Sequence, residues 1–598
     1  MEMRFALRSL QKNPAFTLLA MVIMALGIGA NTAVFSVVNA VLLKPLHYSN
    51  PDRIVTLWSL GKKTNSHSQV SAPDFHDWHG QSSSFSAMAF FDAGDTAVSA
   101  GSQAEYTEVA EVSPEFFNVF AVHPAEGRFF SSDEEKPGSA AAALISYSYW
   151  QSHFGGRPLM DLTVHSSDRT LPIVGVLPQG FHFPEKTDVW IPINTIIPET
   201  PSRSAHNYRV VALLKPNVSL ERAQAEMAAI GTRLEQQYPD SDKGQGVAVT
   251  RMRDEMVRDV RVTLYLLLGA VAVVLLIACA NISTLLLAKA SARSREMAIR
   301  AAIGASRARI IRQLISESLV LAIVSGAAGI LLAYWGSEAL VALAPGNVPR
   351  LAETGIDAGV LAFTLAICLA SSMLFGLAPA IHASRVDLND ALKQGAARAV
   401  VGGAAGRTRN VLVVAEVALA VMLLAGAGLL LKSFAALNNV ELGFHPEHVM
   451  AMEANVPASG LESARHATRF YKDILPQIAA LPGVLNAGAT YAIPGNVGSW
   501  GGYFIDHLPA SMDTHGPQAV FSTVAPGTFA TLGIPLHHGR DVSDNDTYDA
   551  PFTAVINEAL AREAFPGQDP IGRMILCGFD SATPMKIVGV VGDIRQYG

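Results

Sequence analysis

Five stretches of this 598-residue sequence are long, apolar and nearly free of charge: Phe16–Leu43, Thr263–Ala288, Leu319–Val341, Gly359–Ile381 and Val411–Leu431. Each is long enough to cross about 30 Å of hydrocarbon as a helix. Lipid offers no partner to a backbone N–H or C=O, so a spanning segment of this kind is confined to the helix, which pairs them internally. The first stretch exceeds the apolar region of a signal peptide and reads as an anchor that is kept.

Charge gives the direction of threading. Met1–Asn13, Lys289–Gln313 and His382–Arg409 together carry 15 basic and 4 acidic side chains, net +11, and the remainder of the chain is net −18. Basic loops stay in the cytosol. The expected layout is an interfacial amphipathic helix over 1–15, spans at 16–43, 263–288, 319–341, 359–381 and 411–431, and cytosolic segments at 289–314 and 382–410. Two large segments, 44–260 and 432–598, then lie outside the cytosol. Half of the residues are apolar, 16% are charged and the mean hydropathy is +0.28, which suits a membrane bundle joined to folded outer domains. The three cysteines do not form a disulfide framework.

Within the first span, Gly27, Gly29 and Ala30 make a small-residue patch suited to close helix packing, and Asn31, Thr32 and Asn39 offer polar contacts toward its outer end. The outer segment reads as mixed α and β. Ile54–Trp58, Tyr106–Val112 and Leu171–Leu177 have strand patterns, Ser113-Pro114 predicts the start of a short helix through Phe120, and Ser219 predicts the cap of an amphipathic helix through Leu234. The second outer segment repeats the first. Val112-Ser-Pro-x-x-Phe117 through Gly127-Arg128 aligns without gaps to Val524-Ala-Pro-x-x-Phe529 through Gly539-Arg540, and Ile173-Val-Gly-Val176 returns as Ile587-Val-Gly-Val590. Register kept this long predicts an internal duplication. The second copy lacks a counterpart to Pro178–Asp259, so the chain reads as C-terminally truncated.

The candidate site is the basic stretch between the second and third spans. It holds seven Lys/Arg against one acid, Glu296. Glu296 and Arg300 are spaced as an i,i+4 ion pair, Ile299 and Ile303 share the next face, Gly304 can close the helix and Ser306 can cap the one that follows. A short charged helix held at the membrane surface can receive a push from a cytosolic partner, and Arg295, Glu296, Ile299, Arg300, Ile303 and Gly304 are its candidate contacts. The plainer reading is a loop whose charge only sets topology.

Asn13-Pro-Ala-Phe-Thr17, Ala25-Leu-Gly-Ile-Gly-Ala-Asn-Thr32, Arg295-Glu-Met-Ala-Ile-Arg-Ala-Ala-Ile-Gly-Ala305 and Glu317-Ser-Leu319 resemble ABC transporter permeases of the MacB/FtsX type. The duplicated layout resembles the acidobacterial duplicated orphan permease subfamily. The resemblance implies an α-helical transmembrane bundle with α+β extracytoplasmic domains of the MacB periplasmic core type. It also implies a coupling helix at 295–304, a separate cytosolic ATPase that carries ATP and Mg, a periplasmic adaptor, a dimer-like assembly of permease units, and an inner-membrane location with a cytosolic N-terminus. The function it implies is a permease subunit that passes ATP-driven motion to the outer domains. The rival is a non-transporting, FtsX-like regulator of a cell-wall hydrolase, and a second rival is a membrane-anchored outer enzyme.

The chain's own catalytic prospects are slight. No Gly-x-x-x-x-Gly-Lys-Ser/Thr string and no Gly-x-Ser-x-Gly elbow occurs; the nearest phosphate-loop likeness, Gly567–Gly572, continues with Arg573-Met574. His76/His79 with Asp74 and Asp77, and His445/His448, have metal-like spacing without cysteine or a His-Glu-x-x-His motif, and read as solvated surface. Glu416 lies inside the fifth span and is expected to be paired near the cytosolic edge, toward Arg409. No cofactor, metal or nucleic acid is expected on this chain.

Overall fold

The structure is a computed structural model that describes residues 14–100, 103–136, 138–139, 142–166, 169–184, 186–193, 199–292, 307–344, 348–383, 404–454, 460–495, 499–507, 516–577 and 583–595. The chain divides into two compact units: a helical one from Met1–Pro45 and Met256–Asn439, and a mixed one from Leu46–Glu255 and Val440–Gly598.

The helical unit contains helices Pro14–Val38, Arg258–Ala292, Arg307–Leu343, Ala358–Ala383 and Ala404–Asn438. Among the described residues, Pro14–Leu43, Arg258–Lys289, Ile315–Leu343 and Arg409–Asn438 are long and apolar enough to cross a membrane, and Ala358–Leu374 is a shorter apolar run. The first helix is the centre of the packing. Ala20, Met24 and Ile28 are buried against Cys279, Ile282, Leu321, Ala322 and Cys368. Farther along, Val34, Val37, Val38 and Val41 pack with Val257 and Leu264. The helix ends in a π-turn, Asn39–Leu43, in which the Lys44 amide donates to the Asn39 carbonyl. Arg409–Asn438, by contrast, has none of its most apolar window buried.

In the mixed unit, the first half is built on a sheet of eleven strands among the described residues. Ile54–Gly61 lies between Arg209–Leu214 and Gln245–Arg251, antiparallel to both, and Arg209–Leu214 pairs in turn with the long strand Phe85–Ala100. Helix Leu220–Gln237 packs on this sheet because Ala223, Met227, Ile230 and Leu234 recur at helical spacing and are buried with Val247 and Val249. Ser219 caps it, its hydroxyl accepting from the Arg222 amide at 3.3 Å. The Ser113 expectation is corrected in detail: the helix runs Phe116–Phe120, and the Ser113 hydroxyl accepts from the Phe90 amide of a neighbouring strand at 3.1 Å. A tertiary donor has taken the oxygen that a local cap would use.

The second half has a six-stranded sheet among the described residues. Thr553–Asn557 runs parallel to Met585–Val591 and Leu536–Gly539 runs antiparallel to it, as Ala143–Ile145 and Glu126–Gly127 do to Arg169–Val176 in the first half. The corner after each of these short strands has one geometry. Arg128 forms a fork on Glu134 at 2.7 and 2.8 Å, and Arg540 forms the same fork on Asp546 at 2.7 and 2.8 Å.

Candidate functional site

Arg295, Glu296, Ile299, Arg300, Ile303 and Gly304 lie outside the described residues. What the structure describes is the pair of long helices on either side, Arg258–Ala292 and Arg307–Leu343. The Lys289 ammonium lies 4.5 Å from the centre of the Phe16 ring, so a cation–π contact ties the helix entering the basic stretch to the start of the first helix. On the exit side, Glu317 and Ser318 are buried, and a Cβ on Gly376 would come within 2.9 Å of the Ser318 hydroxyl.

From there the contacts run along the first helix. Gly29 and Gly329 meet backbone to backbone: a Cβ on Gly29 would lie 2.9 Å from the Gly329 carbonyl oxygen, and one on Gly329 would lie 3.1 Å from the Gly29 nitrogen. Only glycine permits that approach. The Asn31 amide donates to the Gly27 carbonyl in its own helix at 2.9 Å and to the Val271 carbonyl in the next at 2.8 Å. The Thr32 and Thr364 hydroxyls are 3.1 Å apart, and the Phe35 and Phe363 rings stack with centroids at 3.7 Å. The small-residue patch and polar positions read from the sequence therefore sit where helices touch.

A polar clamp closes this line at the end of the π-turn. Asp357 accepts from the Asn39 amide at 3.0 Å and pairs with the Lys44 ammonium at 3.0 Å. The Val360 amide and then the Lys44 ammonium hold its carboxyl below the usual carboxylate range. Arg350 donates to the carbonyls of Lys44 and Pro45 at 2.8 and 3.0 Å and forks onto Glu353 at 3.0 and 2.8 Å. Sequence reasoning missed Asp357, Arg350 and Thr364. An acid and a base in a loop between spans give no periodic signal, and a threonine inside an apolar run gives little.

The other sequence candidates resolve differently. His76 bonds Glu199 at 2.9 Å and His79 bonds Glu115 at 3.1 Å, while Asp74 and Asp77 both hold Arg203. His445 packs over Gly533, where a Cβ would come within 2.5 Å of its ring, and His448 has a φ of 65°. Glu416 is half-buried on helix Ala404–Asn438. Among the described residues no group of three His, Cys, Asp or Glu is arranged to hold a metal.

Comparison with known families gives two matches. The MacB-like periplasmic core domain pattern matches residues 17–230 and again 411–598, and the FtsX-like permease C-terminal pattern matches 268–388. A pyoverdine export ATP-binding/permease protein, PvdT, of Pseudomonas syringae is 29% identical over 276 residues, 45% of this chain and 40% of that protein. A macrolide export ATP-binding/permease protein, MacB, of Bdellovibrio bacteriovorus is 26% identical over 300 residues, 48% of this chain and 44% of that one. The chain thus spans less than half the length of these relatives. The periplasmic region of MacB from Actinobacillus actinomycetemcomitans, a solved structure, superposes with a TM-score of 0.28 at 12% identity, covering 35% of this chain and 94% of that one.

Proposed function

The chain belongs to the MacB-like periplasmic core domain family, and from that premise we propose that it is the permease subunit of an ATP-driven system that moves or extracts a substrate outside the cytosol. The basic stretch is the docking element: Arg295, Glu296 and Arg300 offer charge to a cytosolic ATPase, and Ile299 and Ile303 offer an apolar face. ATP and its Mg2+ belong to that partner. The N-terminus and both basic loops are cytosolic, the mixed unit lies on the far side, and the unit works beside a second permease unit and a periplasmic adaptor. The two outer halves descend from an internal duplication, in the manner of the acidobacterial duplicated orphan permeases. Support for common descent comes from the Arg128–Glu134 and Arg540–Asp546 corners, which share spacing and bond lengths.

One observation carries the mechanical part of this reading. Helix Arg307–Leu343 follows the basic stretch in the sequence and contacts the first helix backbone to backbone at Gly29–Gly329. A displacement entering at Arg307 therefore meets a stiff rod and a contact that cannot be compressed. In an assembly with the cognate ATPase, Glu296→Arg places like charges at i,i+4 with Arg300 and reverses the charge offered to the partner. Glu296→Arg and Gly304→Val are expected to lower ATPase co-purification and permease-stimulated hydrolysis, while Arg398→Ala in the other cytosolic loop leaves both intact. Unchanged docking and hydrolysis in the first two variants would reduce the basic stretch to a topology signal.

A further inference from the structure

The chain passes from the helical unit to the mixed one after Pro45, directly beyond the first helix and its π-turn. This outlet is gripped by residues 348–357, a segment that follows helix Arg307–Leu343 in the sequence and runs into helix Ala358–Ala383. Asp357 is the hub of the grip. One of its oxygens accepts from the Val360 amide at 2.9 Å and so caps the helix that begins there. The other meets both the Asn39 amide and the Lys44 ammonium at 3.0 Å. Those two residues are five apart. In an α-helix each residue turns the chain by about 100°, so they would point about 140° away from each other. The π-turn Asn39–Leu43 takes an extra residue into one turn and lets both side chains reach a single oxygen. The wide turn and the shared acid fit each other.

Past the turn the backbone is extended at Lys44, so no helical amide serves the carbonyls that follow. Arg350 serves them instead, donating to the Lys44 and Pro45 carbonyls at 2.8 and 3.0 Å while Glu353 holds the same guanidinium from its other side. The Arg350 side chain is only 5% exposed, and its φ of 58° is a left-handed conformation that costs a non-glycine residue energy, so the contacts are what keep it in place. The apolar footing of the segment is small: Val348 and Leu351 are only partly buried against the cluster of Val34, Val37, Val38, Val41 and Leu42. Lys44 and Asp357 are 29% and 34% exposed. Water can therefore replace much of the grip at modest cost, whereas Gly29 deeper in the unit is buried against Gly329.

We propose that residues 348–357 form a latch on the outlet of the first helix. Seated, the latch keeps the π-turn wound and fixes the direction in which the chain leaves for Leu46. Withdrawn, it gives up the Lys44 and Pro45 carbonyls and the Asn39 amide to water, and the outlet loosens. A shift of helix Arg307–Leu343 is carried along the chain to this segment, so the latch decides whether that shift reaches Leu46. Only the identity of the force that pulls the latch rests on the mechanical reading above; the latch itself stands on its contacts, and its test contains no ATPase, so the two can fail separately.

The test is hydrogen exchange of the full chain in lipid nanodiscs. In the parent, amides of residues 39–46 and 350–356 are expected to exchange at one shared rate, faster than those of residues 20–32, because the latch and the outlet open together while the helix core stays closed. Asp357→Ser keeps a good helix cap but is too short to hold Asn39 and Lys44, which makes it the safer variant for folding. Arg350→Lys keeps the charge and loses the planar fork on the two carbonyls. Each should speed exchange of both segments by about tenfold and leave residues 20–32 unchanged. Lys44→Arg, which keeps a cation for Asp357, should match the parent. Parent-like exchange at 39–46 in both Asp357→Ser and Arg350→Lys would overturn the proposal. So would loosening that spreads equally over residues 20–32, or a parent in which 39–46 and 350–356 open at unrelated rates.

Discussion

Gly29→Ala adds one methyl group at the tightest point of the helical unit. Its Cβ would sit 2.9 Å from the Gly329 carbonyl oxygen and 3.2 Å from the Leu332 Cβ, and the nearer atom is backbone, which has no rotamer to yield. The helices must part by a few tenths of an ångström, and overpacking of this kind costs about 1–3 kcal/mol. Against it stands the gain of alanine over glycine in a helix, up to about 1 kcal/mol. With the full propensity gain subtracted, the net expectation is a loss of up to about 2 kcal/mol, which for a domain of this class lowers Tm by a few degrees. Gly428 supplies the control, because a Cβ there meets nothing within 4 Å on helix Ala404–Asn438. Gly428→Ala should gain the propensity term without the clash and melt at or slightly above the parent. Thermal unfolding of the full chain in nanodiscs, followed by tryptophan fluorescence and compared across the two variants, reads the difference. If both alanines raise Tm alike, the Gly29–Gly329 contact does not exist in the membrane and the mechanical argument built on it fails.

Glu111→Gln should stabilise the first outer half at pH 8 by on the order of 2 kcal/mol, because the wild-type carboxylate is half-buried opposite Asp92 and is pushed up to about 7, above the ordinary 4.5. The sign is that of a raised group: the wild type recovers as the pH falls through about 7, so urea unfolding should show the advantage shrinking toward pH 5, and a constant advantage would contradict the assignment. Asn31→Leu removes the donor to the Val271 carbonyl, an interhelical bond inside lipid worth about 1 kcal/mol, and should lower Tm by no more than Gly29→Ala does. A Tm unchanged in that variant would show that the bond contributes nothing to helix association.

The helical segments were legible because lipid leaves the backbone one solution, and the Ser219 cap was legible because its partner, the Arg222 amide, is three residues away. Ser113 was misjudged for the opposite reason: the amide it serves, Phe90, comes from a strand that no local pattern connects to it. Gly29 was readable as a small residue, yet nothing in the sequence names Gly329 as the residue it meets. Asp357 looks like any solvated loop acid until the end of the first helix is brought beside it. The spacing of Glu296 and Arg300 gives a helical pattern, but what such a helix binds is a property of a second chain.

The two arginine corners show which residues this tight turn requires. Gly127 and Gly539 have φ of +77° and +75°, and a Cβ at either would press to 2.3 or 2.2 Å from a carbonyl oxygen, that of Val174 or Val588. No other residue fits, so both positions are glycine. After each glycine comes an arginine, a serine three residues on and an acid six residues on, and the serine amide and hydroxyl meet the acid at 2.7 and 2.9 Å in both halves. The acid is glutamate in one and aspartate in the other, so the side chain's length is absorbed while its bonds are preserved. The fork holds the Glu134 carboxyl down to about 2, through the Arg128 bonds first. Arg128 is half-exposed, so solvent screens the pair and its contribution stays within about 1 kcal/mol. Stability therefore does not explain why the corner occurs in both halves. Geometry does: the arginine and the acid close a tight loop immediately after a strand edge, and without them the positive-φ turn would leave the Ser131 and Ser543 amides without acceptors.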